Sequence, residues 1–148
     1  MTPADELRTA ADTLRALATA AATDSDGNPT AHWAVRYRPG VTPGAPEQRD
    51  RPVTLVAVDL GTDEPLLHGG SSGSHGRGSR PSIGPDHGRY AAAMDPAVGL
   101  ALATLLEAVL SSTREASPAH EECAAWCSPE TCDLSAALAV ARQINGAS

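Results

Sequence analysis

The sequence contains no lysine and no phenylalanine, and its four aromatic residues are Trp33, Tyr37, Tyr90 and Trp126. Without phenylalanine a core must be assembled from Leu, Val and Ala, so it is expected to be thin. All eleven positive side chains are arginine, and against eighteen carboxylates they leave a formal charge of −7. That excess of acid argues against a protein that lives on nucleic acid, because phosphate binding needs a basic surface. Long apolar runs are missing as well; none reaches the roughly 20 residues needed to span a bilayer. The opening MTPADELR has neither the basic start nor the apolar stretch of a secretory signal. A soluble, cytoplasmic protein is therefore expected. At 148 residues the chain is expected to form one domain, and it is too short for most two-domain catalytic scaffolds.

What is present sorts into three stretches. Residues 2–22 predict an amphipathic helix: Thr2 caps it, Pro3 takes the first helical position and Asp5 adds early negative charge. Leu7, Ala10, Ala11, Leu14, Leu17, Ala18 and Ala21 recur at helical spacing, and the polar run Asp24–Pro29 stops the pattern. Across 31–38, Trp33, Val35 and Tyr37 alternate with Ala34, Arg36 and Arg38, as in a half-buried strand. Residues 53–60, VTLVAVDL, are apolar on both faces and predict a central strand, with Leu66 and Leu67 as a short third one. Residues 69–89, beginning GGSSGSHGRGSRPS, predict a flexible loop, since such composition buries too little to offset ordering entropy. Asp95-Pro96 then repeats the cap-then-proline start, and the nearly all-apolar 97–111, with Glu107 its lone charge, predicts the most buried helix, near 96–112. Ser117-Pro118 and Ser128-Pro129 give the same signal. A last helix near 129–144 places Leu134, Leu138 and Ala141 on one side and ends at Asn145-Gly146. The expected fold is α+β: an N-terminal helix, a small antiparallel sheet of two to three strands, and a buried helix and C-terminal helix packed on it.

One cluster carries a chemical signal. His120, Cys123, Cys127 and Cys132 lie in the string HEECAAWCSPETC, which holds every cysteine of the chain. Three thiols cannot all pair within one chain, and in a cytoplasmic protein a tight cluster points to metal or redox chemistry. A Cys3His set suits a closed, structural zinc site with no open position for water. On a helix opened by Pro118, His120, Cys123 and Cys127 project within roughly 60° of one another. His120 and Cys127 would nevertheless stand about 10 Å apart along the axis, so the chain must bend near Trp126. Such a zinc would hold the 117–133 connection in place, as a thin core requires. Exchange of Cys123, Cys127 or Cys132 as redox thiols is the competing use. Small buried hydrophobes with an exposed His120 is the bland one. A zinc deaminase is rejected, because Glu122 follows His120 by two residues but no Pro-Cys-x-x-Cys element comes after it.

The remaining motifs are weaker. Gly69-Gly70-Ser71-Ser72-Gly73 matches a nucleophile elbow in letters, beside His68, yet such an elbow needs a large sheet and a Gly/Ser tract matches by chance. Ser71, Ser72 and Ser79 with Arg77, Arg80 and Arg89 could cradle phosphate, but the P-loop pattern is missing. His32, His68, His75 and His87 are dispersed and read as surface residues. Asp59, Asp63 and Glu64 close the central strand with no partner evident.

The segments YAAAMDPAVGLALATLL, Tyr90 to Leu106, and ALAVARQI, Ala137 to Ile144, resemble small uncharacterised proteins of actinobacteria, their phages and integrated elements. The resemblance covers about a third of the chain and implies a mobile-element origin. It carries over no functional residues. The expected function is that of a non-enzymatic accessory or regulatory protein, stabilised by zinc and acting by binding another protein or itself. The alternatives are a small hydrolase or transferase using the 68–80 loop with Asp59 or His87, or a thiol redox module.

Overall fold

Helix α1 (Pro3–Ala21) starts as its first residues dictate. Thr2 Oγ1 accepts the Asp5 backbone N–H at 3.2 Å, and the Asp5 carboxylate accepts the Thr2 backbone N–H at 3.1 Å. This reciprocal pair is a capping box closed by aspartate, with Pro3 at the position where a missing N–H costs nothing. The computed structural model describes residues 2–37, 39–43, 45–46, 51–67, 83–115, 130 and 132–146. They form four helices and a three-stranded antiparallel sheet, an α+β fold with helices at both ends of the chain. Two compact units divide it: Met1–Ala20 with Val98–Ser148, and Ala21–Ala97.

The first unit is helical. It contains α1, most of α3 (Pro96–Glu115) and α4 (Asp133–Gly146). Leu7, Ala10 and Ala11 of α1, Leu106 and Leu110 of α3, and Leu134, Ala137, Leu138 and Ala141 of α4 make one buried cluster. The alanines let the helices approach closely; a Cβ on Gly99 would stand 3.0 Å from the Ala18 Cβ. Leu17, at the edge of the α1 stripe, is 64% exposed. Arg142 of α4 pairs with Glu6 at 2.7 Å and Arg15 of α1 with Glu107 at 2.6 Å. The Asn145 amide donates to the Glu6 carbonyl at 3.1 Å, so the residue expected to end the last helix also ties it to α1.

Helix α3 differs from the fully buried helix that its composition predicts. Its inward stripe is Ala103, Leu106 and Leu110, while Val98 is 39% and Leu105 57% exposed. An all-round apolar sequence lacks the polar face that ordinarily marks the outside of a helix, so composition overstated its burial.

In the second unit the central strand is the expected one. β2 (Thr54–Ala57) lies between β1 (Trp33–Arg36) and β3 (Glu64–Pro65), with Trp33 opposite Ala57 and Val56 opposite Pro65. Val53, Leu55, Val56 and Ala57 are all buried, which accounts for a strand apolar on both faces. The third strand is Glu64–Pro65 rather than Leu66-Leu67; Leu66 adds one bond, its N–H to the Leu55 carbonyl at 3.1 Å. Proline is tolerated there because β3 is an edge strand. The turn after α1 is fixed by Asp24, whose carboxylate accepts the backbone N–H groups of Asp26 and Asn28, with Gly27 at φ +83.

The predicted loop 69–89 is too long at its C-terminal end. Ile83 pairs with Val53 in both directions, at 2.9 and 3.1 Å, and helix α2 (Pro85–Ala93) follows at once. Pro85 at the helix start and Asp86 in the first turn are the same signal that opens α1. The helix that packs on β1 and β2 is this one. Residues 69–82 lie outside the described residues.

Candidate functional site

The antiparallel pairing of β1 and β2 brings together groups that are far apart in sequence. His32 precedes β1 and Asp59 follows β2; the Val58 N–H donates to the His32 carbonyl at 3.0 Å, so the two strand ends meet. Asp59 then grips His32 twice. One carboxylate oxygen accepts the His32 backbone N–H at 2.9 Å and the other lies 2.6 Å from Nδ1. The Asp59 side chain is 11% exposed and that of His32 63%. This geometry raises the histidine, chiefly through the Asp59 hydrogen bond and then its charge, with a further contribution from Asp95. It holds Asp59 below the usual carboxylate range, through the His32 backbone N–H first and the ring second.

The other side of the segment is clamped too. Asp95, buried just before α3, accepts the Trp33 backbone N–H at 3.4 Å, and the Ala97 N–H donates to the Ala31 carbonyl at 3.3 Å. Trp33 Nε1 donates to the Thr30 carbonyl at 2.7 Å, and the buried Thr30 hydroxyl donates to the Ala21 carbonyl at 2.7 Å. Residues 30–33 are thus fixed by backbone and carboxylate partners on several sides. Four residues along from His32, Arg36 makes a two-pronged pair with Asp63, at 2.6 and 2.8 Å, which keeps that carboxyl low. Asp59 and Asp63 therefore do have partners, each 27 residues away, contrary to the sequence reading. The pairing register that delivers them is invisible in composition.

A carboxylate holding Nδ1 of a histidine is the orienting half of a nucleophilic triad. The other half is missing among the described residues: no hydroxyl or thiol there is hydrogen-bonded to the His32 ring. The arrangement acts as a strand-end clamp, fixing the entry to β1 against the exit from β2.

Of the four proposed zinc ligands, the structure describes Cys132 alone. It is half-buried against the Leu134–Leu138 side of the helical core, and its carbonyl accepts the Ala136 N–H at 2.9 Å at the start of α4. His120, Cys123 and Cys127 lie outside the described residues, as do His68, His75 and the 69–73 elbow match. Among the described residues no group of three or more His, Cys, Asp or Glu could hold a metal ion. His87 sits exposed in the first turn of α2. Also among the described residues, no single helix is long and apolar enough to cross a membrane. No family model, curated protein or solved structure matches the chain.

Proposed function

We propose that the chain is a non-enzymatic accessory or regulatory protein of a phage or other mobile element, acting by binding another macromolecule through helix α3. The observation that carries this reading is the outward face of α3. Val98, Ala101, Leu105 and Ala108 are exposed and lie on the side of the helix away from Ala103, Leu106 and Leu110. Single exposed apolar residues are ordinary, but a continuous stripe opposite a core stripe marks a surface that gains by being covered. The polar side chains favour the same reading. His32, Asp59, Arg36 and Asp63 are engaged with one another in holding the sheet, which leaves no assembled acid–base and nucleophile set among the described residues.

The resemblance of residues 90–106 and 137–144 to mobile-element proteins supports the origin. Zinc at His120, Cys123, Cys127 and Cys132 belongs to the proposal as a staple for the 117–133 connection, which leads directly into α4. The test uses the full chain, immobilised as wild type and as Leu105→Glu, exposed to extract of cells that express it. Proteins retained by the wild type and lost with Leu105→Glu, identified by mass spectrometry, are the expected result. Identical sets on both would sink the reading. Because Leu105 is 57% exposed, the variant is expected to keep the wild-type circular dichroism and melting temperature.

A further inference from the structure

The α3 face also indicates what covers it. Its exposed positions alternate in size along the helix: Val98, Ala101, Leu105, Ala108. Turn a second α3 antiparallel about a two-fold axis midway between residues 98 and 108, and each large residue meets a small one. Val98 falls on Ala108, Ala101 on Leu105, and the reverse contacts repeat by symmetry. An isologous interface requires this self-complementarity, and the small residues let the helix backbones approach. Ser112 lies on the same side at the end of the stripe, but its hydroxyl already donates to the Val109 carbonyl at 2.9 Å. The Thr104 hydroxyl at the edge donates to the Leu100 carbonyl at 3.0 Å. Neither hydroxyl is stripped of its partner when the face is covered.

Charge points the same way. Two copies each carrying −7 repel wherever acidic surfaces meet. From Pro96 to Ser112 the one charged residue is Glu107, which lies off the stripe and is held by Arg15 at 2.6 Å. A copy of this chain can therefore approach along α3 without burying a carboxylate, whereas a strongly basic partner would find nothing on this face to pair with.

From these observations we infer that the occupant of the α3 face is a second copy of this chain, docked antiparallel helix to helix with Val98 opposite Ala108 and Leu105 opposite Ala101. The inference rests on the reading that this face is a binding surface, and it names the partner. The contact spans about 15 Å of helix at 1.5 Å per residue. Such an interface falls in the small, reversible class, with a dissociation constant weaker than about 1 µM.

Sedimentation equilibrium of the full chain from micromolar to millimolar concentration tests it. The wild type should pass from one chain to two as concentration rises. Added salt should tighten the association, since it screens repulsion between acidic copies and leaves an apolar contact intact. Leu105→Glu should stay monomeric throughout. Val98→Glu and Ala108→Arg should each weaken the dimer. Combined in one chain they should recover about tenfold, because the new carboxylate of each copy then meets the new guanidinium of the other, twice across the two-fold axis. These positions are ten residues apart, too far to pair within one helix.

A wild type that stays monomeric at millimolar concentration overturns the proposal. So does a dimer indifferent to Leu105→Glu, or a double variant no better than the worse single one. A monomer whose capture of another protein still depends on Leu105 overturns the second copy and leaves the binding-surface reading standing. A monomer with no Leu105-dependent capture removes both.

Discussion

His32 and Asp59 show how a pair that looks inert residue by residue gains a measurable property from geometry. The histidine is raised above its ordinary 6.5 and the aspartate lowered below its ordinary 3.8. The signs differ in consequence. A base with a raised folded pKa contributes stability below its unfolded value and loses it as pH rises through the folded one. An acid with a lowered folded pKa contributes above its unfolded value and loses it as pH falls through the folded one. The two contributions overlap between roughly pH 4 and 6.5. His32→Ala should therefore destabilise the protein more near pH 5.5 than near pH 8, where a neutral ring keeps its hydrogen bond but not its charge. Denaturant titrations of both proteins at the two pH values check this, and a larger loss at the alkaline value would contradict it. Arg36–Asp63, with both side chains about half exposed, should matter far less, as surface ion pairs do.

Among the elements, α2 depends most on a single atom that is absent. A Cβ on Gly88 would stand 2.9 Å from Val53 Cγ2 and 3.0 Å from Ile83 Cγ2, so the helix lies on the sheet because residue 88 has no side chain. Gly88→Ala would gain about 1 kcal/mol of helix propensity and lose about 1–3 kcal/mol to overpacking. A net loss of about 1 kcal/mol is expected; a variant that melts above the wild type would place α2 wrongly. This helix was also the least legible in the sequence. The ends of α1 and the start of α3 could be read because a proline step or polar turn coincides with a change of period, and the central strand because apolar residues fill both its faces. Pro85-Asp86 carries the same start signal, but the glycine that allows the close contact also looks like the glycine of a loop. Of the candidate site, Asp59 and Asp63 were visible as carboxylates at a strand end. Their partners were not, because which residue of β1 faces them is decided by register, and β1 alternates too briefly to specify one.

For the molecule as a whole, the expectation of a thin core of small aliphatics is met in the helical unit, where four of the nine clustered residues are alanine. The sheet unit has its own buried set in Val53, Leu55, Val56 and Ala57. Neither is large, and chains with little to bury gain most from a metal staple. If zinc is bound as proposed, protein purified without a metal-affinity tag should carry one zinc per chain by elemental analysis. Chelation or Cys127→Ser should remove it and lower the melting temperature. Metal-free protein with three titratable thiols and an unchanged melt would dismiss the staple.

The pairing of Ile83 with Val53 has a practical side. Leu66 bonds to Leu55 and Ile83 to Val53, two residues apart on one stretch of chain, so the backbone leaves and re-enters along the same edge. With both ends tied there, the connection between them adds little to the closing entropy when lengthened, about 0.6 kcal/mol for each doubling. That makes the stretch around residue 75 the natural place to splice in an epitope or a fluorescent reporter, leaving α1, α3 and α4 uninterrupted.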